Sequence, residues 1–129
     1  MSRNMRTPAA NVRGLGAARE GTTHYIRQRV SAIALLVLLP IMLISGLLAA
    51  KDGYEGISAW IGHPVFGLLL LLTLGAAFYH MRLGMQVVIE DYIAKISTRQ
   101  FLLVLNTFVT IGVFAATALS VLKIWLATG

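Results

Sequence analysis

Three long stretches of apolar side chains, separated by two short polar ones, set the plan of this chain. The first, VSAIALLVLLPIMLISGLLAA from Val30 to Ala50, carries no charge and one proline, Pro40. At 1.5 Å per residue such a run crosses a hydrocarbon core of about 30 Å, with the proline as a point where the helix can kink. The second runs from Pro64 to Ile89 and the third from Phe101 to Leu126, with Lys123 and Trp125 near its exit. Pro64 sits where a helix favours proline, and Lys123 can snorkel outward. The linkers are KDGYEGISAWIGHP and EDYIAKISTRQ; Tyr54 and Trp60 in the first suit a membrane interface. The pattern predicts an all-α integral membrane bundle of three transmembrane helices, spanning about 30–50, 64–89 and 101–126, after a basic N-terminal segment, 1–29. No internal repeat is visible.

Composition agrees: of 129 residues, 57% are hydrophobic and 12% charged, against about a quarter charged in a soluble domain. Once three spans are drawn, too little chain remains for a separate catalytic domain, so any complex chemistry is shared with partners. The net charge of +6 does not point to nucleic acid, because six of the eleven basic residues (Arg3, Arg6, Arg13, Arg19, Arg27, Arg29) precede the first apolar run. That clustering is a topology signal. The linkers carry Lys51, and Lys95 with Arg99, so the positive-inside rule puts the N-terminus and second linker in the cytoplasm and the C-terminus outside. Arginine without an acid before Glu20 also resembles a mitochondrial transit peptide; a retained cytoplasmic tail is the reading taken. With no cysteine, this chain has no thiolate metal site or iron–sulfur cluster of its own.

Chemistry concentrates in the second span, which holds His80 and Arg82. An ionisable residue inside a span is costly enough to mark a functional site by default. At 100° per residue Ala76, His80 and Gly84 share a stripe, so small side chains bracket the imidazole and leave a flat recess. A haem needs such a recess, since its ring must lie against the backbone while an imidazole nitrogen reaches iron. A small-residue packing stripe, with the histidine hydrogen-bonded to a neighbouring helix, fits the same three residues. Arg82 lies 200° away, leaving another helix or a propionate edge as its partner.

Asp91 and Tyr92 follow His80 by eleven and twelve residues, about 16 Å along the axis. The phenol can donate a hydrogen bond to a quinone carbonyl and the carboxylate can pass protons. A solvated helix end with an interfacial aromatic is the plainer reading. Arg29, at the mouth of span one, suits a haem propionate or acidic partner surface, and equally an ordinary positive-inside anchor. His24 and His63 fall outside the spans on opposite sides of the membrane, and spans one and three hold no histidine. A second histidine ligand to the same iron would come from another polypeptide.

The run HMRLGMQVVIEDY, His80 to Tyr92, resembles the second-span signature of the succinate dehydrogenase hydrophobic membrane anchor family, in which a His, a Gly four later and an Asp–Tyr pair eleven and twelve later recur. GTTHYIRQRVSAIA, Gly21 to Ala34, is similar to that family's entry into its first helix. The resemblance implies that His80 is an axial ligand of haem b, with the other from the cytochrome b subunit. It also implies that Gly84 faces the haem, that Tyr92 hydrogen-bonds ubiquinone with Asp91 in support, and that Arg29 lies near the propionates or quinone pocket. The implied partners are the cytochrome b, iron–sulfur and flavoprotein subunits of the complex, in a bacterial inner membrane. The Arg-Pro-x-Ser-Pro-His-type entry that marks the cytochrome b subunit itself is absent. Succinate oxidation would lie elsewhere. The rival readings are a haem-free structural protein, a fumarate reductase anchor and a small transporter; the lack of repeats, and spans one and three offering little polar beyond Ser45, Asn106, Thr107, Thr110, Thr117 and Ser120, weigh against the last.

Overall fold

The computed structural model describes residues 7–9 and 17–128. From Ala17 onward four α-helices follow in order: α1, Ala17–Ala49; α2, Gly53–Gly62; α3, Pro64–Tyr92; and α4, Ile96–Thr128. The described residues contain no strand. Three helices are long and apolar enough to cross a membrane, as the hydrophobic pattern predicts. Each long helix overshoots its apolar run. With 33, 29 and 33 residues, α1, α3 and α4 reach roughly 43–50 Å against a core of about 30 Å. The apolar run marks where lipid begins and not where the helix does: α1 starts thirteen residues before Val30. Most of the basic segment 1–16 lies outside the described residues.

Helix α3 is central, packing on α1 along one side and α4 along the other. The interior is thin. Among the described residues five hydrophobic ones are buried, Leu35, Met42, Leu83, Ile89 and Val121, whereas Leu36, Leu47, Phe108 and Leu126 stand more than two-thirds exposed. Such an apolar exterior is ordinary against lipid and against other transmembrane helices. α1 runs unbroken through Pro40.

The first linker is the departure from the sequence pattern. Where the hydrophobic pattern marks only a linker, the chain forms a 3₁₀ turn, Ala50–Asp52, and then α2. Gly53 makes the corner at φ +65°, a conformation that side chains disfavour. Trp60 does not lie as a free interfacial ring. It packs on Gly46 of α1, where an added Cβ would stand 3.4 Å from the indole, and its Nε1 is buried without a partner. Tyr54 does stay exposed. His63 closes α2 and caps α3, its Nδ1 accepting from Val65 N at 3.3 Å ahead of Pro64 at the helix start.

At the opposite end α3 and α4 are joined by three residues, Ile93–Lys95. Arg99 donates from Nε to Ile93 O at 2.9 Å and from Nη2 to Ala94 O at 3.4 Å. A residue counted for topology thus also satisfies carbonyls left open where α3 ends.

Candidate functional site

His80 points from α3 to α1. Its Nδ1 lies 3.0 Å from Ser31 Oγ, and Ser31, 6% exposed, donates its proton to Gln28 O at 2.9 Å. Among the described residues the other ring nitrogen, Nε2, has no hydrogen-bond partner, and it is not shut away in the interior. One turn on, a Cβ built on Gly84 would meet nothing within 4 Å. The recess expected beside the imidazole is therefore open, and nothing in this chain requires that position to be glycine. The packing reading is realised in one respect: the histidine does bond to a neighbouring helix.

Arg82 turns the other way, as its 200° offset demands. Its Nε donates to Thr107 Oγ1 at 3.2 Å, and Asn106 Nδ2 donates to Arg82 O at 3.0 Å, so α3 is tied to α4 at one level by two polar contacts. Thr107 and Asn106 look in the sequence like scattered polar residues of an apolar span; their partnership with Arg82 is set by the helix pairing. Interhelical hydrogen bonds in membranes average about 0.6 kcal/mol and reach about 1.7. The cycle Arg82→Leu with Thr107→Val is expected to give a coupling within that range in the stability of the detergent-solubilised complex. A coupling near zero would show the bond to be idle.

Between α1 and α3, on the Arg82 side, lies a polar cavity of about 490 Å³ lined by Thr23, His24, Arg27, Tyr79, Arg82, Leu83 and Gln86. No acidic side chain lines it, and His24 Nε2 is buried without a hydrogen-bond partner. His24 thus lies within α1 and faces α3, not in a tail beyond the bundle as the linear reading places it. It stays apart from His80: the cavity takes in Tyr79, Leu83 and Gln86, whereas His80 and Gly84 are each turned 100° on from Tyr79 and Leu83.

Asp91 and Tyr92 end α3, where Ile93 caps the helix. Tyr92 is 82% exposed and Asp91 is exposed, so among the described residues nothing covers the pair. The neighbouring Glu90 is engaged locally by Gln86, whose Nε2 donates to Oε1 at 2.9 Å. Arg29, on the exterior of α1, places its guanidinium 5.1 Å from the Tyr25 ring centre, a cation–π contact. The structure brings His80 to Ser31; it brings neither Arg29 nor the Asp91–Tyr92 pair into contact with the imidazole. Ser31 is the residue the sequence pattern leaves unremarked. Its signal is a hydroxyl early in an apolar span, three and seven residues after Gln28 and His24 on the α1 stripe facing α3.

Three long apolar helices, an intramembrane imidazole beside an open recess, and a polar pair on one helix end define a multi-pass membrane protein with its ionisable chemistry gathered on one span. Comparison with known proteins makes this specific. Residues 3–122 match the family described as Succinate dehydrogenase/Fumarate reductase transmembrane subunit, and the chain belongs to that family. It is similar to the succinate dehydrogenase hydrophobic membrane anchor subunit of Rickettsia bellii, 35% identical over 81% of this chain and 83% of the relative. It is 36% identical to that of Paracoccus denitrificans over 67% of each, and 37% identical to that of Rickettsia felis over 78% and 83%. No solved structure matches. The chain is thus a succinate dehydrogenase membrane anchor, and membership implies the other subunits of that complex.

Proposed function

We propose that this anchor holds haem b through His80 together with a histidine of the cytochrome b subunit, and lends Tyr92 and Asp91 to the ubiquinone reduction site. The observation that carries the reading is the state of His80: Nδ1 tied to Ser31, Nε2 without a partner among the described residues, and open space in front of Gly84. A single imidazole and a bare backbone fit a planar macrocycle, and no group of three or more metal-binding side chains exists among the described residues. His24 lines the Arg82 cavity and His63 caps α3 at the far end, so a second axial imidazole belongs to another chain of the complex.

When bound, haem b would supply a one-electron store held by His80. The rest falls to this chain's own side chains. Tyr92 donates its phenolic hydrogen bond to a ubiquinone carbonyl, and Asp91 beside it takes protons from the aqueous face and delivers them as two electrons and two protons make ubiquinol. Arg29, which lies against the Tyr25 ring on the exposed face of α1, would neutralise a haem propionate or a charge at the quinone pocket. The iron–sulfur subunit docks on the end that carries Tyr92 and passes electrons released from succinate in the flavoprotein subunit. That end also carries Arg27, Arg29, Lys95 and Arg99, which supports a cytoplasmic N-terminus, a periplasmic C-terminus and a bacterial inner membrane as its place. Run in reverse, the same parts would serve a fumarate reductase anchor.

The Ser31–His80 bond favours one second reading, a haem-free structural anchor in which the imidazole is helix glue. A reduced-minus-oxidised visible spectrum of the intact purified complex separates the two. A b-type signal is expected, and its absence would leave only the structural reading.

A further inference from the structure

The bond between α1 and α3 at His80 does more than join helices. A serine hydroxyl has one proton and two lone pairs. Ser31 donates that proton to Gln28 O at 2.9 Å, so it faces His80 Nδ1 at 3.0 Å with a lone pair. The shared hydrogen must then belong to the imidazole, Nδ1–H donating to Ser31 Oγ. In a neutral imidazole with its proton on Nδ1, Nε2 carries the free lone pair. Among the described residues Nε2 is the nitrogen without a partner.

We infer that Ser31 is a positioning residue for the haem: through Oγ it holds the His80 ring in the Nδ1–H tautomer, with Nε2 aimed outward as the iron ligand, and tunes the basicity of that ligand. The inference rests on the haem reading proposed above and adds to it a residue from a second helix. Outer partners of ligating histidines act in this way, orienting the ring and raising ligand basicity. A more basic imidazole favours the ferric state, so loss of the bond should raise the haem midpoint potential. Ser31 is 6% exposed and lies in a membrane span, where bulk water cannot replace its hydroxyl.

The test uses the intact complex with Ser31→Ala, and with the isosteric pair Ser31→Val and Ser31→Thr. The readouts are the visible spectrum, the largest g value of the ferric haem by electron paramagnetic resonance, and the midpoint potential by redox titration. Ala and Val are expected to keep b-type absorbance with an altered g value and a raised potential, or to lose haem altogether, whereas Thr, which retains the hydroxyl, stays native. Ala and Val variants indistinguishable from native would overturn the inference and leave the haem reading standing. Haem lost equally from Thr would also overturn it, by making the position one of packing. A native complex with no b-type haem at all defeats the parent reading, and this one with it.

Discussion

Replacing His80 by alanine is expected to remove b-type absorbance from the complex, by tenfold or more, while the subunits still assemble. The two halves of that expectation have different origins. On the haem reading proposed above, haem loss follows because one of two axial imidazoles is taken away; disturbing merely an outer partner of such a ligand weakens binding by about 10–100-fold. Assembly should survive because the variant gives up one cross-helix hydrogen bond, worth on average about 0.6 kcal/mol in a membrane bundle, and the Ser31 proton keeps its place on Gln28 O. His80→Gln sharpens the contrast. A glutamine can still bond Ser31 but cannot serve as an axial imidazole, so the haem reading predicts loss of the signal and the structural reading predicts no functional change. Difference spectra of both variants, with subunit content checked on a gel, give the answer. An unchanged b-type spectrum in both would end the axial-ligand assignment.

Tyr92→Phe should slow succinate-driven ubiquinone reduction about 10²-fold, the usual consequence of losing a positioned donor to a developing oxyanion or a proton-transfer partner. Three other quantities should not move: haem content, complex stability, and reduction of an artificial acceptor that takes electrons before they reach the membrane. Stability is spared because the ring is 82% exposed on the end of α3. Asp91→Asn, which keeps shape and removes the proton carrier, is expected to cost about tenfold and to make the rate more dependent on pH. If phenylalanine at position 92 leaves quinone reduction intact, the Asp91–Tyr92 pair is an interfacial helix end and the quinone contacts come from the partner chains.

The three spans and the peculiarity of the second were readable from hydrophobic runs, because length and apolarity alone decide which segments satisfy their backbone inside lipid. The direction of Arg82 was readable too, since 200° of helix rotation cannot leave it on the side of His80. What those runs concealed came from pairing. Gly53, Gly56 and Gly62 make KDGYEGISAWIGHP look like a loop, yet Gly56 is small because its α carbon lies against the Ala49 carbonyl where α2 folds back on α1. The glycines there permit a close helical corner. His24 reads as a tail residue when the helix is assumed to begin with the apolar run; α1 begins earlier and carries it into the bundle. Ser31 gives no sign of its bond to His80 until α1 is laid beside α3, forty-nine residues away in sequence.

The thin interior has a consequence for how the chain lives in a cell. With five buried hydrophobic residues among those described, and with His80 and Arg82 set within a membrane span, this anchor on its own has little to distinguish it from a misfolded membrane fragment. Surveillance proteases act on chains that fail to complete themselves. Supply of the anchor is therefore expected to be matched to that of its partners, with a copy made in excess exposed to removal.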